Sequence, residues 1–529
     1  MTTHLFLFTI GPVQAFIAQA RRTQDLYIGS RMLSALAAAG VQAATSSAGF
    51  QPIFPAPQQG NRLSEADLKG TPHRFAFLSD EVPHALAERV EKAIRDQWRT
   101  QFAEKVEKWL RDRLGDGKWL HVFQQQAYDW LEFYWVALPY DESKHTELFR
   151  QVGGALAQRK YARHFPQIEA DGDKCTLTGA QSALPFTENQ RTRLVETVGD
   201  IVLSPNERLG ALAIIKRLAG QHHAKCFGSD PFEIRSTTAI ALDKREDSEE
   251  TERRTNRKNS GKEVVRYLAV LHMDGDSMGK HLSTLNRREE HTDFSAKLTR
   301  FAAQTVPKTI KEHGGAGGLL VYSGGDDVLA LLPLKHALKC AYELYRAFHE
   351  LTGLTASAGI AITPHDLPLD NALEMARKAE EEAKETYGRD AVVFSEAHGT
   401  GQMRSAGAKW QVVQFLQRLQ ELFEQGKISS KLGYELQAID HDLHAADMVK
   451  LRGAEILRVA KRRTAEGVDF EHEVKPIIKK MISLVEEPIV NKEGKLEKPA
   501  IPTWADMANW AILTRFLATD PAPAKEGQA

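Results

Sequence analysis

The sequence predicts an α+β fold in four parts: sheet-bearing regions at 1–150 and 236–400, a helical insertion at 151–235 between them, and a helical bundle at 401–529. Three observations carry that expectation. Runs rich in β-branched and aromatic residues open the chain and recur between Val264 and Phe394, alternating with helix-spaced segments. After Phe394 helical spacing takes over, with few β-rich runs. The 529 residues also exceed what one hydrophobic core usually supports.

From Thr2 to about Pro57 the pattern gives a strand and two helices. Ala85–Leu114 reads as a long amphipathic helix, and Trp119–Pro139 as an aromatic-rich return strand with its approach. Helical and irregular insertion follows to about Gly228, and Ser236–Leu242 leads into the second region. Lys244 to Lys262 mixes both charge signs with Ser, Asn and Gly and has no apolar anchor, so it reads as a mobile loop or linker. In the tail, Trp410–Gln425, Ser430–Asp442, Met448–Glu466 and His472–Val485 carry helical spacing, while Pro521–Ala529 should fray.

Composition sets limits. A formal net charge of −1 argues against a chain that coats nucleic acid by itself. Arg21-Arg22, Arg159–Arg163 and Lys450–Arg463 are local basic patches, readable as RNA contacts or as solvated helix faces. Three cysteines point to a reducing, cytoplasmic setting, with Cys340 a core thiol. Leu5–Ile17 is apolar but contains Gly11-Pro12 and lacks a basic lead, so neither a signal peptide nor a membrane contact is expected.

The chemistry lies in two acidic motifs. Met273-Asp274-Gly275-Asp276 ends the apolar run Val264–Leu271, which puts Asp274 at the carboxyl end of a strand. Ser323-Gly324-Gly325-Asp326-Asp327 lies between the apolar runs Gly318–Tyr322 and Val328–Leu332, which makes it a hairpin tip. Glycines there let backbone approach a ligand, and hard oxygen donors suit Mg²⁺ or Mn²⁺. If the strands lie side by side, Asp274 and Asp326 face each other and can hold ions roughly 3.5 to 4 Å apart, as two-metal phosphoryl transfer requires. Gly and Asp also favour ordinary turns. The co-occurrence of the motifs, each flanked by apolar strands and separated by a helical stretch from Arg287 to His313, favours a nucleotide-polymerising palm. A helix from Leu369 to Lys384, followed by Gly388-Arg389 and the strand Ala391–Phe394, places Lys384 and Arg389 at its end. Such cations either meet a triphosphate or simply complement the helix dipole.

The order of Asp-Gly-Asp strand, Ser-Gly-Gly-Asp-Asp hairpin, Ala358–Ile362 strand and Ala-Lys…Gly-Arg helix resembles the cyclase/polymerase palm of diguanylate cyclases. The opening, Gly11-Pro12-Val13-Gln14-Ala15-Phe16-Ile17 with Ala20–Leu26 and Gly29-Ser30, resembles the large subunit of type III-B CRISPR effector complexes, which Lys216-Arg217 and Ser236–Ala241 also fit. The resemblance reaches from the first residues to about Phe394.

It implies two ferredoxin-like palms and synthesis of cyclic oligoadenylate from ATP, with target RNA as the trigger. Asp274, the Gly275 carbonyl, Asp326 and Asp327 would hold the metal ions. Asp276, Ser277, Gly324, Gly325, Lys384 and Arg389 would line the nucleotide. Guide and target RNA would be met through other subunits, the palms joining the subunit that grips the guide's 5′ end and the tail joining the small helical subunit.

Two departures from that family accompany the resemblance. The opening motif at Gly11 leaves no room for a histidine-aspartate nuclease domain, and His365-Asp366 and His441-Asp442 read as chance dipeptides. The usual four-cysteine zinc segment is reduced to Cys175, with Glu207–Ala213 as its other half. His222, His223 and Cys226 resemble a polar connection, so zinc is not expected. The competing reading is a catalytically silent scaffold that organises guide and target RNA; carboxylates converging at one turn favour the enzyme, since they repel unless cations are present.

Overall fold

A computed structural model describes residues 2–60, 62–68, 70–162, 172–179, 181–198, 203–204, 206–221, 226–227, 235–244, 266–397, 403–444, 448–490 and 496–518. The linker run from residue 245, the strand residues Val264 and Val265, His222, His223 and the tail from residue 519 lie outside them. The chain divides into two compact units, one of Met1–Ser236 with Ser277–Gln304 and Val321–Gly325, the other of Thr237–Asp276, Thr305–Leu320 and Asp326–Ala529.

In the first unit, β1 (His4–Gly11) leads through the helix α1 (Thr23–Thr45) to β2 (Gln51–Phe54) and β3 (Arg74–Ser79). The helices α2 (Pro83–Trp98), α3 (Glu104–Leu114) and α4 (Lys118–Tyr128) precede β4 (Glu132–Pro139). The sheet is antiparallel in the order β2-β3-β1-β4. β1 is apolar at nearly every position because both its faces are covered. Phe6 and Phe8 stack on Phe77 and Phe75, while Leu5 and Leu7 pack with Tyr134, Val152 and Leu156. The stretch read as one helix, Ala85–Leu114, holds a π-helical turn at Arg99–Ala103 between α2 and α3.

One expectation is corrected here. Residues 119–128, read as the approach to a strand, are helix α4, whose Trp119, Phe123 and Ala127 recur at four-residue spacing and are buried together. Their aromatic content had suggested β-structure.

The insertion contributes α5 (His145–Tyr161), α6 (Glu188–Val198) and α7 (Ala211–Gln221). Lys216 on α7 is buried and donates to the carbonyls of Phe16 (2.6 Å) and Gln19 (2.7 Å) in the opening motif. The neighbouring Arg217 pairs with Asp25 and Glu207. Arg21 and Arg22, the local basic patch readable as an RNA contact or a solvated face, also lie within 4 Å of Glu207, at 3.8 and 3.7 Å. Family-like residues far apart in sequence therefore meet in one buried ionic cluster, which fixes α1 against α7.

The second sheet repeats the topology. β5 (Tyr267–Gly275), β6 (Leu319–Gly324), β7 (Asp327–Pro333) and β8 (Ala356–Pro364) follow the same strand order as the first sheet, within the series β10-β9-β8-β5-β7-β6. α8 (Ala337–Thr352) links β7 to β8, and α9 (Leu369–Glu385) links β8 to the parallel strand β9 (Ala391–Ala397). Both units are thus ferredoxin-like palms.

β10 (Met403–Lys409) pairs antiparallel with β9, so the division expected at residue 400 falls inside this sheet. The bundle comprises α10 (Val413–Glu424), α11 (Leu432–Asp442), α12 (Val449–Arg463), α13 (Lys475–Glu486) and a helix absent from the sequence reading, α14 (Trp504–Leu517). Between α13 and α14 a small two-stranded sheet pairs β11 (Pro488–Val490) with β12 (Leu496–Pro499). No helix among the described residues is long and apolar enough to cross a membrane.

Candidate active site

β5 is buried along Leu268–Leu271 and at Met273, then delivers Asp274 and Gly275 at its carboxyl end. Its register with β7 pairs Met273 with Val328, so Asp274 and Asp327 come next to each other where that pairing stops. Gly325, at φ 74°, takes the left-handed turn position that a hairpin requires and a side chain would resist. A Cβ on Gly324 would lie 1.9 Å from the Tyr322 hydroxyl, so any side chain there would have to displace that ring. The Gly275 N–H donates to the Asp326 carboxylate, which ties the tip to the end of β5.

The three expected acids therefore converge. Burial, reinforced by the charge of Asp274, pushes the Asp326 carboxyl up to about 7. Burial, with Asp274, Asp326 and Glu380 adding repulsion, raises Asp327 well above the usual carboxylate range. These are the signs of negative charge concentrated beyond what the nearby protein cations neutralise.

The cations come from α9. Lys384 Nζ binds Asp274 Oδ2 and lies 2.6 Å from Glu380 Oε1, one helical turn earlier. Burial opposes its charge, but the bonds to Asp274 and Glu380 outweigh that and raise its pKa. The Arg377 guanidinium draws Asp327 back toward ionisation. His272 on β5 sits between the acids, with Nε2 3.5 Å from Asp327 and Nδ1 3.8 Å from Glu380. Burial, with Arg377 and Lys384 nearby, lowers its pKa to about 4. Sequence reasoning missed Arg377, Glu380 and His272. The signal lay in the spacing: Arg377, Glu380 and Lys384 fall at i, i+3 and i+7, one face of α9.

Other expected residues are placed differently. Asp276, expected at the nucleotide, is a buried structural carboxylate. Oδ1 accepts from Ser357 Oγ (2.7 Å), and Oδ2 accepts from Thr355 Oγ1 (2.8 Å) and the Asp390 N–H (2.9 Å). Its oxygens are occupied by protein donors, while its charge still adds to the repulsion on Glu380. Ser277 follows in the left-handed region at φ 56° and caps a short helix, Met278–Leu282. Arg389 is exposed in a turn where Gly388, Arg389 and Asp390 all have positive φ, at 69°, 63° and 48°. Lys409 Nζ donates to the Gly388 and Arg389 carbonyls of that turn (3.1 and 2.6 Å).

Divalent ions fit the donor set. Asp327 Oδ1 is buried without a hydrogen-bond partner among the described residues, and hard carboxylate oxygens surround it. Among the described residues, no three His, Cys or carboxylate side chains are grouped closely enough to hold a metal ion by themselves. An open arrangement suits Mg²⁺, which keeps waters and takes further ligands from phosphates. Cys175 is buried in a turn whose Thr176 N–H donates to Arg208, so the two halves read as a degenerate zinc segment do lie side by side.

Comparison with known proteins follows this geometry. Residues 267–393 match the family of the Cas10/Cmr2 second palm domain, and residues 5–113 match the CRISPR-associated protein Cmr2 N-terminal family. The CRISPR system Cmr subunit Cmr2 of Pyrococcus furiosus is 29% identical over 208 residues, 32% of this chain and only 23% of that protein. A type III-B Cmr-beta structure bound to cognate target RNA superposes with TM-score 0.69 at 14% identity, over 98% of this chain and 83% of the other. A Csm1-Csm4 cassette in complex with cA4 gives 0.53 at 15% identity, over 97% and 70%. Both family regions are present in order, and the acid-bearing palm lies within the region similar to the Cas10/Cmr2 second palm domain.

Proposed function

We propose that this chain is the large subunit of a type III-B CRISPR RNA-guided effector complex acting in antiviral defence, and that its second palm joins ATP into cyclic oligoadenylate when target RNA binds. The observation that carries the reading is the meeting of Asp274, Asp326 and Asp327 beside Lys384, with Asp326 and Asp327 both driven toward their protonated forms by burial and by the neighbouring carboxylate charge. The Cmr-beta structure with target RNA and the Csm1-Csm4 structure with cA4 support it by likeness of fold.

Asp274, the Gly275 carbonyl, Asp326 and Asp327 would hold Mg²⁺ or Mn²⁺. Such ions supply an activated ribose hydroxyl and neutralise charge on the α-phosphate and departing pyrophosphate. Gly324 and Gly325 leave the hairpin backbone open to the substrate. Lys384 offers a mobile charge to the triphosphate, and Arg389 a planar fork from its exposed turn. Guide and target RNA, the subunit holding the guide's 5′ end and the small helical subunit complete the assembly.

The test is incubation of the assembled complex with labelled ATP and Mg²⁺ or Mn²⁺, with and without matching target RNA, and product analysis by mass spectrometry. Target-dependent cyclic oligoadenylate is expected. The double variant Asp326→Ala/Asp327→Ala should lose at least about 10²–10³-fold in rate while still assembling and binding RNA. RNA binding without any product would favour the silent scaffold.

A further inference from the structure

We infer that Lys384 is an internal counter-ion of the acid cluster that a divalent ion must displace, and that Glu380 is the positioning residue that holds the displaced ammonium for the substrate. This rests on the proposed metal-dependent reading of the same site.

Lys384 Nζ is bound to Asp274, an expected metal ligand, and is 2.6 Å from Glu380. An ammonium and a divalent ion drawn to the same Asp274 carboxylate repel each other and compete for its charge. A metal that takes Asp274 therefore breaks one of the two lysine contacts and leaves the other. Glu380 is built to be the one that survives. It is buried, it stands on the same helix one turn before Lys384, and the Glu-to-Lys direction is the favoured i, i+4 geometry.

Its second oxygen faces His272, whose other nitrogen faces Asp327, so Glu380 is held from the sheet side as well. A buried carboxylate that lost its lysine would be left with an uncompensated charge, which further favours keeping that pair intact. The lysine thus has two settings, one bridging Asp274 and Glu380 and one held by Glu380 alone with its remaining donors turned to a phosphate.

Two variants act in opposite directions on metal binding without nucleotide, read by Mn²⁺ electron paramagnetic resonance on the full chain. Lys384→Met removes the competitor, so Mn²⁺ should bind about tenfold more tightly, the scale on which a neighbouring opposite charge shifts an ionisation equilibrium. It should also raise KM for ATP. Glu380→Gln leaves Lys384 to Asp274 alone, so Mn²⁺ should bind more weakly and KM for ATP should again rise. In the double variant Mn²⁺ affinity should return to that of Lys384→Met, because the effect of Glu380 passes through the lysine. Thermal unfolding confirms that each variant is folded, and should Glu380→Gln fail to fold, the Lys384→Met arm decides alone.

Unchanged or weaker Mn²⁺ binding in Lys384→Met overturns the inference, as does a Glu380→Gln effect that persists without Lys384. If the wild-type chain binds no Mn²⁺, or binds it equally with Asp326 and Asp327 replaced, the proposed metal site itself fails. Mn²⁺ binding that needs those aspartates but ignores Lys384 sinks only the counter-ion role.

Discussion

Asp276 and Asp274 are two residues apart and do opposite work. Asp274 looks into the acid cluster, while Asp276 spends both oxygens on Ser357, Thr355 and the Asp390 N–H. The Arg389 turn therefore hangs from the strand that carries Asp274. Tyr345 braces the same turn by donating to Asp390 Oδ1 at 2.7 Å and stacking on Trp410. Three consecutive residues at positive φ persist only where the surroundings over-determine them. Asp276→Asn turns an amide nitrogen toward donors that need an acceptor. A loss of about 1–3 kcal/mol in urea unfolding is expected, with weaker ATP binding in titration calorimetry. An unchanged midpoint would count against this bracing. The sequence made the Asp-Gly-Asp motif visible but not the division of labour within it, because an acid in a turn looks the same whether its oxygens face donors or ions.

Among the elements, α9 and β8 decide how close Glu380 and Lys384 come to the sheet. A Cβ on Gly359 would lie 2.1 Å from the Ala376 carbonyl and 2.2 Å from the Glu380 N–H, so glycine at this strand position lets the helix backbone rest directly on β8. Gly359→Ala must push α9 outward. Overpacking of this kind costs about 1–3 kcal/mol or more, and thermal unfolding should show it as a lowered Tm together with sharply reduced synthesis. α9 was legible from its apolar spacing at Leu369, Leu373, Ala376, Ala379 and Ala383, all buried in the structure. Its functional face was not, because Arg377, Glu380 and Lys384 within a charged helix read as solvated surface. β10 was missed for the converse reason: Met403–Lys409 is short of β-branched residues and is held in place by pairing with β9.

At the scale of the whole molecule, pH acts on the first palm through a buried imidazole pair. His291 Nε2 is 2.8 Å from the Leu282 carbonyl and so donates to it. His291 Nδ1 then accepts from His145 Nε2, and His145 Nδ1 accepts from the Tyr140 hydroxyl at 2.9 Å. Both rings are neutral in this chain of bonds. Burial, with His291 adjacent, lowers His145 to about 4; Glu289 and Glu290 oppose the shift and Arg288 adds to it. An exposed histidine titrates near ~6.5. Between these values the unfolded chain takes up a proton that the folded chain refuses. Stability from this group is therefore complete above about pH 6.5 and falls as pH drops toward about 4. Urea unfolding against pH should show that slope. His145→Gln should flatten it while lowering the neutral-pH plateau by about 1 kcal/mol.

The joining of the tail to the palm has a practical meaning for anyone who wants the acid-bearing palm alone. Trp510 Nε1 and Asn509 Nδ2 on α14 donate to the carbonyls of Gly407 and Ser405 on β10, and Tyr387, just past α9, donates to Asp506 at the start of α14. A fragment ending near residue 400 would leave β9 as a raw sheet edge and strip the covering helix from behind the Arg389 turn. The smallest portable version of this palm is a discontinuous piece of chain, whose last indispensable part lies more than a hundred residues beyond the acids it serves.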